Sequence, residues 1–315
     1  MTRRWTSPAL QGLVLAAAVV LIALLPRFTS EFRLGQFTYV AIYFVALLGL
    51  NILTGYNGQI SLGHAAFMGI GGYTAAVLIL GRKRFELLGQ HPSQAIPDHG
   101  MRAVFTIPIA GLVAGAIGYL FGIPALRLGG VSLALATLAV AVSFPAVAKR
   151  FEHLTGGGGG LSLPLPHAPF GWHISTPHWL YYEAWVSAGI LFVVAWLLVR
   201  GRVGRAGVAG ALFAIQVSYI NPDTFPVTLS ILLLASVVIG GLSSLSGVIV
   251  GALVLEFLPI YAQAPPLLHL HFAKQAGPVV FGIALMAIVL LIPGGAASLI
   301  RWIARPVTGA LARRG

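Results

Sequence analysis

LNILTGYNGQISLGHAAFMGIGGYTAAVLIL, residues Leu50–Leu80, decides how the rest of the chain is read. It is an apolar stretch interrupted near its start by Thr54-Gly55-Tyr56-Asn57-Gly58-Gln59. Further polar side chains follow at Ser61, His64 and Thr74, among Gly63, Gly69, Gly71 and Gly72. In hydrocarbon an unpaired polar group is strongly unfavourable, so lipid does not tolerate such a break. Surrounding helices or a wet cavity do tolerate it. The pattern therefore predicts a discontinuous helix at the centre of a membrane bundle, with glycines that let neighbouring backbones close in. The alternative is an ordinary loop followed by a small-residue packing helix. That accounts for the glycines, but less well for the run of Asn57, Gln59, Ser61 and His64.

Composition points the same way. Of 315 residues, 58% are hydrophobic and 8% charged, against about 25% charged in soluble domains. The expected fold is an all-α, polytopic transmembrane bundle of about 8–10 membrane segments with discontinuous central helices. The formal net charge is +12. Its basic residues sit in short loops and at the termini, where they suit anionic headgroups, so membrane lipid is the expected partner and nucleic acid is not. With no cysteine, the chain can form neither a disulfide nor a thiolate metal site.

Taken in order, apolar runs predict spans at Ala9–Leu25, Phe37–Leu53, Ser61–Leu80, Ala103–Phe121 and Val131–Ala148. Gly81–Arg102 reads as a polar loop and Gly122–Gly130 as a tight connection. Residues 149–181 read as an extracytoplasmic loop containing Thr155-Gly156-Gly157-Gly158-Gly159-Gly160-Leu161. No Lys-Ser/Thr follows those glycines, so they are not a phosphate-binding loop. His153, His167, His173 and His178 fit no standard zinc spacing. A sixth span is predicted at Glu183–Val199, with Trp179, Tyr181 and Tyr182 at its interfacial mouth.

Arg200, Arg202 and Arg205 form a dense positive cluster, cytoplasmic by the positive-inside bias, directly followed by Gly207–Ile220. At about 1.5 Å per residue that stretch reaches roughly 21 Å, short of the roughly 30 Å hydrocarbon core. Counting it as a span nevertheless gives ten crossings and places both basic termini on one side, with Arg82, Lys83 and Arg84 on the disfavoured side. Thr228–Gly247 and Val248–Pro259 follow, separated by the break Gly240-Gly241-Leu242-Ser243-Ser244-Leu245-Ser246-Gly247. The two broken segments, Asn57–Gly72 and Gly240–Ala252, read as a weak internal repeat. Paired broken helices are a pointer to a translocation path; chance similarity among Gly/Ala-rich segments is the rival. Pro278–Ile292 is the last span, and residues 293–315 form a basic tail.

GYNGQISLGHAAFMGIGGYTAA closely resembles the signature of permease subunits of branched-chain amino-acid ABC transporters, the LivM type. ALRLGGVSLALATLAVAV, the Thr155–Leu161 glycine run and AGVAGALFAIQVSYINPDTF resemble further family blocks, together covering about Leu34 to Pro293. Three departures stand out. Ser243 occupies a position where the family usually has Gly, and Val248 one where it usually has Pro. A cytoplasmic segment carrying the ATPase-coupling helix has no counterpart near Arg205–Gly207.

The resemblance implies a single permease domain over residues 1–315, in the bacterial inner membrane. It implies one half of the path for branched-chain amino acids, beside a second permease subunit. Two ATP-binding cassette ATPase subunits and a periplasmic solute-binding protein complete the importer. The chain has no Walker motif, so ATP hydrolysis belongs to a partner, and no cofactor is expected. Related permeases carry urea or short amides.

Polar groups at membrane depth are functional candidates. The path is expected to be lined by Asn57, Gln59, Ser61, His64, Thr137 and Ser243, and helix packing to rest on Gly63, Gly69, Gly72, Gly240, Gly241 and Gly247. The bland alternative is that these polar groups hydrogen-bond locally to hold the broken helix. Glu256 reads as a packing contact. An intramembrane enzyme is disfavoured: Ser61 and His64 lie three apart on one helix, with no carboxylate to orient the histidine. A third reading is a degenerate scaffold that lacks the means of being driven.

Overall fold

The computed structural model describes residues 19–87, 99–125, 130–164, 174–198 and 218–263, with a few isolated positions beyond them. Helix α1 (Glu31–Asn51) continues into a π-helical turn, Ile52–Tyr56. After a non-helical stretch come α2 (His64–Leu87), α3 (Ala103–Ala125) and α4 (Gly130–Arg150). Helices α5 (Thr176–Leu198), α6 (Val227–Gly240) and α7 (Leu245–Gln263) complete the described bundle. Among the described residues, five helical stretches are long and apolar enough to cross a membrane: Glu31–Tyr56, His64–Arg82, Ala103–Ile123, Gly130–Arg150 and Pro222–Gly240. Gly247–Tyr261 is a shorter apolar helix. The chain is an all-α polytopic membrane bundle.

A helix that is apolar on every side must be buried on every side or face lipid, and both solutions occur here. Helix α1 takes the first: Val40, Ala41, Ile42, Val45, Leu47, Leu48 and Leu50 are buried, enclosed by α5, α6 and α7. Helices α3 and α4 take the second, presenting Leu112, Tyr119, Leu120, Val131, Leu135 and Val142 outward. Helix α2 lies between the two groups, packed on α3, α4 and α6.

Specific contacts give each helix a direction. Tyr73 of α2, Phe144 of α4 and Phe225 before α6 form one aromatic cluster, and Lys149 meets Asp223 beside it at 2.9 Å. Leu161–Ser162 pairs antiparallel with Tyr219–Ile220, and the Gly160–Leu161 junction of the glycine run is part of this end. Here the loop 151–164, the start of α6 and the far end of α2 meet; this is the loop end of the bundle. Helices α2 and α4 run towards it side by side, Gly63 lying against Thr137 and Gly69 against Phe144. Helix α6 runs away from it and α7 runs back along α1, with Phe257 against Phe37.

Several predicted boundaries need correction. Helix α2 starts at His64, not Ser61, and its helical backbone breaks at Gly81 (φ 66°), at the predicted end after Leu80, before a further helical stretch to Leu87; glycine takes that angle without strain. Met101 N–H donates to the Leu78 carbonyl at 2.8 Å, tying α2 to the entry of α3. Helix α5 begins at Thr176, not Glu183, so Thr176–Tyr182 belongs to the helix and not to the loop. Tyr219 and Ile220 are strand residues, which removes them from the predicted short span Gly207–Ile220. Most of the rest of that span, of Ala9–Leu25 and of Pro278–Ile292 lies outside the described residues.

Candidate functional site

The two predicted breaks meet in space, at the end of the bundle opposite the loop end. After Asn51 the α-helix widens into the π-turn Ile52–Tyr56, a local irregularity that recurs at functional sites. Asn57 N–H donates to the Ile52 carbonyl at 3.2 Å and Gln59 N–H to the Leu53 carbonyl at 3.1 Å, curling the chain back on itself. Opposite them, α6 ends at Gly240, Gly241 adopts φ 106°, and the turn through Ser243 leads into α7.

Asn51 bridges the breaks. Fully buried, it donates its Nδ2 to the Ser244 carbonyl (3.1 Å) and accepts the Ser243 N–H at Oδ1 (3.0 Å). The Ser243 hydroxyl donates to the Gly55 carbonyl. A Cβ at Gly55 would collide with the Ser243 backbone and with Asn51 Oδ1, so glycine is required for this approach. Ser243 sits at φ 61°, where an L-residue costs about 1–2 kcal/mol relative to glycine. This is the position where the sequence resemblance expects Gly. The serine side chain has its bond to Gly55 in return.

The start of α2 is held from three directions. Thr137 of α4 accepts the Leu62 N–H at 3.0 Å and donates onward to the Ala134 carbonyl at 3.0 Å. Ser230 of α6 accepts the Ala65 N–H at 2.9 Å. His64 donates from Nε2 to the Ala46 carbonyl of α1 at 2.9 Å. The first N–H groups of a helix lack partners within it; here neighbouring helices supply them. Among the described residues, the buried Thr54 hydroxyl has no hydrogen-bond partner.

A family model described as "Branched-chain amino acid transport system / permease component" matches residues 33–206, more than half of the chain. The chain belongs to this family. It is 30% identical to the high-affinity branched-chain amino acid transport system permease protein LivM of Escherichia coli (strain K12) and 29% identical to LivM of Salmonella typhimurium. Each comparison covers 78% of this chain and 67% of the relative. No solved structure matches significantly. The family match on the permease ends at Ala206. The comparison with the Escherichia coli relative runs over 301 positions yet covers 78% of these 315 residues, so that relative has residues inside the aligned region that this permease lacks.

The permease brings its predicted site residues together unevenly. Asn57 and Ser243 are exposed at the clasped tip, with Gln59 half-buried beside them. Ser61 is buried. His64 and Thr137 spend their side chains on backbone partners, which is the local-anchoring alternative. Of the glycines, Gly63 touches Thr137, Gly69 faces the Phe144 ring, and Gly240 lies against the Gly247 carbonyl; Gly72 and Gly241 are buried. Two residues that hold the junction are not among those expected from the sequence. Asn51 sits inside an apolar run, and its polarity was the available signal. Ser230 is one more serine in an apolar helix, and nothing local marks it.

Proposed function

We propose that this permease forms half of the membrane path of an ABC importer for branched-chain amino acids, in a bacterial inner membrane. It works beside a second permease subunit, with two ATP-binding cassette ATPase subunits and a periplasmic solute-binding protein. The loop end faces the periplasm and the clasped end the cytoplasm, since the Arg200–Arg205 cluster follows Leu198 at the clasped end of α5. Asn57, Gln59 and Ser243 line the path at the clasp, with Ser61 deeper. His64 and Thr137 hold the start of α2 against α1 and α4. Family membership over residues 33–206 is the observation that carries this reading, and two broken helices meeting inside a bundle fit a translocation path.

Reconstitution in proteoliposomes with the partner subunits tests it. Labelled leucine should accumulate in an ATP-dependent manner and labelled urea should not; the reverse pattern would move the substrate to the urea and short-amide class. Purified alone, the chain should hydrolyse no ATP. Hydrolysis without partner subunits would remove the permease reading. A second reading, a scaffold that assembles but is not driven, draws support from the residues that the Escherichia coli relative has and this chain lacks. Assembly with partners but no uptake of either solute would favour it.

A further inference from the structure

We infer that Asn51 is a positioning residue that locks the two broken segments into one rigid body, so that the polar tip bearing Asn57, Gln59 and Ser243 is displaced as a unit during transport. The inference rests on the transport reading for its functional consequence, but its structural content stands separately.

Asn51 comes from α1, the most enclosed helix of the bundle, and its side chain reaches across to the turn between α6 and α7, 193 residues away in sequence. It satisfies a backbone donor and a backbone acceptor of that turn at once, both partly buried. An amide is the side chain suited to this pairing, since it offers donor and acceptor side by side. Without it, the Ser243 N–H and the Ser244 carbonyl lose this partner, and partly buried backbone groups deprived of a bond favour a rearrangement. The neighbouring contacts reinforce the lock. Ser243 Oγ bonds to Gly55, and behind the turn α6 and α7 are in backbone contact, Gly251 lying against the Ser236 carbonyl and against Leu47 of α1. The π-turn and the α6–α7 turn therefore share one framework. The residues that project from it, Tyr56, Asn57 and Gly58 on one side and Leu242 and Ser243 on the other, are exposed.

The absence of cysteine from the chain makes the test direct. Nitroxide labels are placed at Tyr56→Cys and Leu242→Cys, on the two sides of the clasp, and their distance distribution is measured in the full importer. A single narrow distribution is expected, unchanged between the resting and the ATP-trapped complex. Asn51→Leu should broaden or split it and lower the maximal leucine uptake rate at least tenfold while the half-saturating concentration changes less than twofold. Asn51→Asp keeps the shape and the acceptor but loses the donor to Ser244, so it should fall between the two; it also serves if the leucine variant does not fold. Separation of the labels in the wild-type complex on ATP trapping would overturn the inference. So would a narrow distribution with unchanged uptake in either variant. If the cysteine-labelled wild-type importer takes up no leucine, the transport reading fails, while the label distances still decide whether Asn51 holds the clasp.

Discussion

Gly69→Leu is expected to prevent assembly of the folded permease. A Cβ at Gly69 would run into the Phe144 ring. That ring cannot simply swing aside, because Tyr73 and Phe225 pack against it with centroids 6.3 and 6.5 Å away. Leucine adds three further carbons beyond the Cβ. Overpacking costs about 1–3 kcal/mol and occasionally more, and here the strain falls on the α2–α4 contact that carries the start of α2 and its bond to Thr137. The yield of monodisperse, detergent-extracted protein should drop at least tenfold. Gly115→Leu is the control, since a Cβ there meets nothing within 4 Å; its yield should stay within twofold of wild type. Combining Gly69→Ala with Phe144→Leu, which shortens the opposing side chain, should recover most of the yield. Wild-type assembly of Gly69→Leu would show that α2 is not packed against α4 in this way.

The second large effect concerns drive. A transmembrane helix needs about 20 residues. With Tyr219 and Ile220 paired to Ser162 and Leu161, the stretch from Gly207 to Ser218 would reach roughly 18 Å as a helix at about 1.5 Å per residue. Drawing Arg205 into the bilayer would cost roughly 2.5–3.5 kcal/mol on insertion scales, which snorkelling and local thinning reduce. The cluster Arg200-Gly201-Arg202-Val203-Gly204-Arg205 has almost no apolar surface with which to dock on an ATPase. If the scaffold reading holds, the chain inserts and assembles but leaves ATP hydrolysis uncoupled from uptake. Inserting a Glu/Ala-rich segment, of the kind the family resemblance implies, between Ala206 and Gly207 should restore ATP-dependent leucine uptake. The measurement is the ratio of leucine moved to ATP hydrolysed in proteoliposomes. Coupled uptake by the unmodified chain would show that another cytoplasmic connection, Gly122–Gly130 first, makes the ATPase contact.

What the chain determined by itself was the solvent it folds in, the family it belongs to and the places where its helices break. Composition alone settles the first, because so few charges cannot clothe a soluble surface. The breaks were legible at Thr54–Gln59 and Gly240–Gly247 because clustered glycines and polar residues weaken a helix and are costly against lipid, so an apolar run that carries them is interrupted there. Helix ends were less legible: α5 starts early at Thr176, since amphipathic residues near an interface are compatible with either helix or loop. Tertiary structure decided which polar groups anchor and which project. His64 and Thr137 look alike to Asn57 and Gln59 as polar residues in a membrane segment, yet His64 donates to the Ala46 carbonyl of α1 and Thr137 accepts the Leu62 N–H, partners that local sequence cannot place nearby. Asn51 shows the limit most clearly. Its polarity within an apolar helix is plain in the sequence, but its role depends on partners at Ser243 and Ser244, and only the packing of α6 and α7 along α1 brings those two backbone groups within hydrogen-bonding distance of its side chain.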